Sequence, residues 1–249
     1  AGILGSDFNS SPRHGEDRHV NEQPETSDDF LALLSETGNE CLHTQVLEAH
    51  EGVTAEWPGW VNPDFIASLA DQGIDEPWAH QVDFAESAHK GQHSILATCT
   101  ASGKTIAFAA PSISAVSAGA TVLYIAPTKA LAADQLATVT SWNVPGVRAA
   151  TLDGDTSREE RQWVRAHANY ILTNPDMLHF SILPGHRNWA HFMRHLAYIV
   201  VDEAHIYRGV FGAHVALILR RLLRIAHKYG AHPTVLAASA TTGDPERTL

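Results

Sequence analysis

Six short runs of the chain are apolar almost without interruption: SILA (94–97), TVLYIA (121–126), VRAATL (147–152), YILT (170–173), AYIVVD (197–202) and TVLAAS (234–239). Most show no alternation of apolar and polar positions, which is how strands read when both faces of a parallel sheet are covered. Segments with helical spacing separate them, starting near Gly103, Lys129, Thr156, Pro175 and Gly209. Two further helices precede the first strand. Asn62 followed by Pro63 sets a capping residue before one suited to the first helical turn, and Gly73 is a fitting stop. The second helix is predicted from Pro77 to Lys90, closed by Gly91. Residues 61–249 therefore predict an α/β domain with a doubly wound, mostly parallel sheet.

The first sixty residues do not share this pattern. Residues 1–27 are polar, acidic and poor in aromatics, the composition of a flexible tail. Residues 28–60 form a flanking segment, with a short helix in DDFLALLSE and a candidate strand in TQVLEA. The net charge of -11 is concentrated here. Residues 1–60 hold 12 Asp/Glu against 2 Lys/Arg, whereas residues 61–249 hold 16 against 15. The balanced remainder is free to present a local basic face.

No run approaches the ~18 apolar residues of a membrane span. The N-terminus lacks a signal-peptide layout, and Ala1 ahead of Gly2 argues against a myristoylation signal. Cys41 and Cys99 make neither a disulfide framework nor a metal-binding pair. The expectation is a cytoplasmic protein with no membrane partner.

The stretch ATCTASGKTI, Ala97 to Ile106, lies between a predicted strand and a predicted helix. That is the setting of the phosphate-binding loop G-x-x-x-x-G-K-[ST]. Gly103 lets the backbone approach phosphate, Lys104 suits the β- and γ-phosphates, and Thr105 can place its hydroxyl on Mg²⁺. Thr100, Ala101 and Ser102 complete the loop, while Thr98 and Ala101 replace glycines common in such loops. The run YIVVDEAH ends a buried strand in Asp202 and Glu203, placing both acids in the crevice where α/β proteins bind ligands. Asp202 is the candidate metal carboxylate and Glu203 the candidate base that orients and deprotonates water. His205 is positioned to link this site to SAT, Ser239, Ala240 and Thr241, which follows another apolar strand. His191 and His195 are four apart on a predicted helix without a third ligand, so no zinc is expected. The arginines of LRRLLRIAHK, with Lys228, read by default as a solvated helix face.

These motifs together resemble the DEAD/DEAH-box helicases of superfamily two. TASGKT is similar to motif I, DEAH (202–205) to motif II and SAT to motif III. APTKALAADQ (126–135) resembles motif Ia, TNPDML (173–178) motif Ib, and GIDEPWAHQ (73–81) the Q motif. TASGKT and the run after motif II look closest to the branch of MrfA-like and RecQ4-like repair helicases. The resemblance implies a RecA-like P-loop NTPase domain using ATP and Mg²⁺. It implies that Gln81 reads the adenine edge, with Trp57, Trp60 and Phe65 equally open as stacking partners or core. It further implies that Thr128, Lys129, Thr173 and Asn174 contact the backbone of single-stranded DNA or a 3′-tailed duplex. Lys129 stands where the family usually has arginine, keeping the charge but losing the fork. The resemblance also implies a second RecA-like domain, which is expected to be missing from this chain. The expected function is the ATP-binding domain of a 3′-to-5′ DNA helicase acting in repair. The alternative is a nucleotide-gated nucleic-acid-binding module without motor activity.

Overall fold

The computed structural model describes residues 52–98 and 102–240. The expected tail, the flanking helix and strand, Cys41, Cys99, Thr100, Ala101 and Thr241 lie outside these residues.

Two helices come first, α1 (Pro63–Asp71) and α2 (Ala79–His89). Asn62 caps α1 as its sequence predicts, its Oδ1 accepting from Phe65 N at 3.0 Å. Gly73, at φ 80°, takes the left-handed turn after α1. Six strands then alternate with helices: β1 (Ser94–Ala97), α3 (Lys104–Ser117), β2 (Thr121–Ile125), α4 (Lys129–Ser141), β3 (Ala149–Leu152), α5 (Arg158–His167) and β4 (Tyr170–Thr173). The crossover to β5 is broken into short pieces. They are α6 (Pro175–Met177), a π-helical turn (Leu178–Ile182), a 3-10 turn (His186–Trp189) and α7 (Ala190–Arg194). After β5 (Leu196–Val201) come a 3-10 turn (Ala204–Ile206), the long α8 (Gly209–Lys228) and β6 (Thr234–Ser239). Every pairing is parallel, in the order β1-β6-β5-β2-β4-β3. The doubly wound α/β sheet is thus confirmed, with all six strands where the apolar runs placed them.

Side chains alternate along each strand and divide the interior into two cores. Val122, Tyr124, Leu172, Val200 and Leu236 meet α1 to α4 through Phe65, Leu69, Phe84, Phe108 and Val139. Leu123, Ile125, Ile171, Ile199 and Val201 meet the other helices through Val164, Leu178, Phe192 and Leu222. α3 holds Pro111 in its interior, which removes one helical donor. Ser114 ties that helix to α1, donating to Ala110 O at 2.7 Å and accepting from Asn62 N at 2.9 Å. Because the strands are parallel, the groups released after β1, β2, β4, β5 and β6 share one edge of the sheet. No described helix is long and apolar enough to cross a membrane.

Candidate nucleotide and nucleic-acid site

β1 ends at Ala97 and α3 opens at Lys104, with Gly103 at φ 73° as its N-cap. Only glycine suits this position. A Cβ would sit in the left-handed region and lie 2.3 Å from Gln81 Nε2. Thr98, which replaces the usual first glycine, pairs its hydroxyl with that of Ser102 at 2.5 Å and so closes the base of the loop. Lys104 Nζ donates to Thr98 O at 3.1 Å. Thr105 Oγ1 accepts from Gln135 Nε2 at 3.5 Å, which connects the loop to the APTKALAADQ segment.

Gln81 is buried in the first turn of α2. Its Oε1 accepts from Trp78 N at 3.0 Å and its Nε2 donates to Gly103 O at 3.0 Å. The residue expected on the adenine edge is therefore clamped onto the phosphate loop itself. Among the expected stacking candidates, Phe65 is wholly buried and meets Trp142 edge-on at 4.9 Å. It is core. Trp60 stacks on His89 at 4.1 Å and donates to Glu86 Oε1 at 2.9 Å. Trp57 packs edge-on against Phe65.

Two strands from β1, β5 delivers the acidic pair. Asp202 is buried, yet both its oxygens are satisfied. Oδ1 accepts from Glu203 N at 2.8 Å and Oδ2 from the Tyr124 hydroxyl. Tyr124 lies on β2, the neighbouring strand, and nothing in the motifs signals its role. Burial first, then the Asp202 charge, push its phenol far above the ordinary range, so the hydroxyl stays protonated and donates. Tyr170 and Tyr207 are raised in the same way, by burial and then by Asp202, and their hydroxyls are buried without a hydrogen-bond partner among the described residues.

Glu203 adopts φ 49°, ψ 44°, a left-handed backbone unusual for a residue with a side chain. Its Oε2 lies 3.1 Å from His205 Nδ1. Ala240 N donates to the same nitrogen at 3.3 Å. An unprotonated Nδ1 serves Ala240 and a protonated one serves Glu203, so His205 sits between the acidic pair and the SAT segment. Buried Ser239 donates to Ala240 O at 2.8 Å.

The residues expected at the nucleic acid separate. Thr128 is exposed and caps α4, accepting from Leu131 N at 3.2 Å. Lys129 is exposed but ion-paired with Asp155, whose hydrogen bond raises the ammonium pKa. Asn174 is half-buried and caps α6, accepting from Met177 N at 2.8 Å. Thr173 is fully buried, and its hydroxyl donates to Leu152 O at 2.7 Å, which makes the side chain part of the sheet. The helix expected to start near Thr156 is α5, capped by Ser157. Ser157 and Glu160 form a reciprocal capping box. The Thr156 hydroxyl is occupied instead, accepting from Asp153 N at 2.9 Å. Arg161 fixes this loop by donating to Asp153 O at 2.9 Å and Thr156 O at 2.8 Å, a role that no sequence motif marks. The His191 and His195 rings lie 4.6 Å apart, and no cluster of three metal-ligating side chains occurs among the described residues.

Comparison with known proteins bears on the whole arrangement. The DEAD/DEAH box helicase model matches residues 78–248. An ATP-dependent helicase of Bacillus subtilis, YprA, is 40% identical over 215 residues, covering 84% of this chain and 29% of its own length. The ATP-dependent helicase HRQ1 of Saccharomyces cerevisiae is 45% identical over 191 residues, covering 72% of this chain and 18% of its own. Among solved structures, the DUF1998 helicase MrfA bound to DNA and AMPPNP is 38% identical with a TM-score of 0.79, covering 87% of this chain and 31% of that one. The chain thus spans less than a third of the length of these relatives.

Proposed function

Because the chain belongs to the DEAD/DEAH box helicase family, we propose that residues 61–249 are the first RecA-like domain of an ATP-dependent DNA helicase that moves 3′ to 5′ in DNA repair. The observation that supports this reading best is the shared sheet edge. There the phosphate loop and its Lys104, the Asp202–Glu203 pair and the His205–Ala240 link all emerge from one parallel sheet.

Within this reading the first turn of α3 receives the phosphates. Its amides and dipole attract the anion, and Lys104 exchanges Thr98 O for phosphate oxygens. The donor set fits Mg²⁺, which when bound neutralises charge on the phosphates. Thr105 would hold it through its hydroxyl oxygen and Asp202 through its carboxylate, each oxygen of which accepts one hydrogen bond and keeps a lone pair free. Glu203 orients the attacking water and takes its proton. His205 then passes the state of that carboxylate to the SAT segment by choosing between Glu203 and Ala240 N. Thr128, Lys129 and Asn174 hold the strand's phosphates without reading sequence. Gln81 releases Gly103 O when adenine offers its own edge.

The test is ATP hydrolysis by the intact protein with single-stranded DNA, duplex DNA or RNA as stimulant, alongside unwinding of 3′- and 5′-tailed duplexes. DNA-stimulated hydrolysis and 3′-tailed unwinding are expected. Glu203→Gln lowers turnover by ~10²–10⁴-fold with nucleotide still bound, whereas Lys104→Ala also weakens nucleotide binding. ATP binding with no DNA-stimulated turnover assigns the chain to a nucleotide-gated clamp instead.

A further inference from the structure

One surface borders the TNPDML segment at Pro175 and Asp176 but otherwise lies outside the motifs above. α8 carries Leu217, Arg221 and Arg224 on one flank at spacings of four and three residues, and Phe211 nearer its start lines the same cleft. Opposite it stands the π-helical turn after Asn174, with Phe180. Between them lies a cleft of about 630 Å³. Its apolar lips are unusually bare: Phe180 is 74% exposed, Leu217 59% and Phe211 45%. Arg220, Arg221 and Arg224 line it, and no carboxylate among the described residues lies in ion-pair range of any of them. Asp176 is the acid in the lining. These three guanidinium groups lie beside exposed aromatic rings, a local basic face in a domain whose charges otherwise balance, with 16 Asp/Glu against 15 Lys/Arg over residues 61–249.

We propose that this groove is a second contact surface for single-stranded nucleic acid, taking the strand as it leaves the Asn174 corner. The chemistry supports a polynucleotide occupant. Guanidinium groups suit phosphates, and bases are stacked by aromatic side chains and guanidinium planes without regard to sequence. Continuity supports it too. Pro175 and Asp176 line the groove and directly follow Asn174, while Phe211 lies in the first turn of α8, just after β5 releases its acidic pair. The groove therefore begins at the residue that directly follows Asn174. The inference rests on the nucleic-acid reading of Thr128, Lys129 and Asn174.

The test measures binding of fluorescently labelled oligo(dT) to the intact protein, using strands of about 6 and about 20 nucleotides to bracket the usual size of one site. Arg221→Ala with Arg224→Ala, and separately Phe180→Ala, are expected to weaken the long strand on the order of tenfold and to leave the short strand unchanged. The double arginine variant also lowers the slope of log affinity against log salt for the long strand, by ~0.7 for each phosphate it no longer neutralises. Parental affinity and slope on the long strand overturn the proposal. So does a lowered melting temperature in the DNA-free groove variants with unchanged DNA binding, which shows that another part of the protein covers the groove. Lys129→Ala with Asn174→Ala tests the underlying reading separately, because it is expected to weaken both strand lengths. If only the groove variants weaken binding, the groove stands and that reading fails.

Discussion

The two faces of the sheet are built from similar apolar strands but are covered differently. On one face, α1 to α4 lie over a continuous core in which Phe65, Phe84, Phe108 and Trp142 are all buried. On the other, the crossover from β4 to β5 is a chain of short turns instead of one long helix, and the flank of α8 is left bare at Phe211 and Leu217. A parallel sheet needs cover on both faces, but complete cover requires helices long enough to lie across several strands. Where the crossover is fragmented, apolar side chains meet water and become available to something else. One face is occupied with stability, and the other retains surface for contact.

The largest test of this contrast pairs Phe65→Ala with Phe180→Ala. The first is expected to cost ~3–5 kcal/mol in chemical denaturation. The second stays within ~0.5 kcal/mol, as at an ordinary surface position. Equal losses would erase the distinction between the faces. Next comes Tyr124→Phe, which removes a hydroxyl on the closed face that serves the acidic pair. Leaving Asp202 Oδ2 without that donor costs ~1–3 kcal/mol. It is also expected to raise the Mg²⁺ concentration needed for nucleotide binding, measured with a fluorescent ATP analogue; an unchanged Mg²⁺ requirement restricts Tyr124 to packing. Asn62→Ala, at the cap that seats α1 on the closed face, is expected to cost about 1 kcal/mol. The smallest effect concerns acid on the open face. The Ser157 hydrogen bonds hold the Glu160 carboxyl below its usual range. Its contribution is present above the ordinary carboxylate pKa and lost as pH falls through the depressed folded value. Glu160→Gln should flatten that part of the acid-unfolding curve, and an unaltered curve would show that the box adds nothing measurable.

What the sequence discloses follows from how local each signal is. The six strands are legible because uninterrupted apolar runs mark buried strands wherever they occur. Caps such as Asn62 and stops such as Gly73 depend on neighbours within a few residues. The broken crossover is not legible, because π-helical and 3-10 turns have no periodicity of their own. Neither is the Tyr124–Asp202 pair, which depends on β2 lying beside β5 with Ile125 opposite Val201. Thr173 is expected at the nucleic acid because TNPDML resembles motif Ib. Its burial is settled by the register that sets it opposite Leu152 on β3. Gln81 is recognisable as a site residue, but its clamp on Gly103 is a contact across 22 positions.

The left-handed backbone at Glu203 has a consequence for inheritance. Such a conformation costs a residue with a side chain ~1–2 kcal/mol, and glycine adopts it freely. Glu203→Gly therefore deletes the candidate base at a place where the chain gains ease by losing its side chain. If the proposed role of Glu203 holds, the altered protein should fold, accumulate to normal levels and still engage nucleotide and strand without turning over. A cell carrying both versions would find the inert copies competing for the same strands as the active ones. Glu203→Gly should then behave as dominant, whereas damage at a buried position such as Phe65 should behave as simple loss.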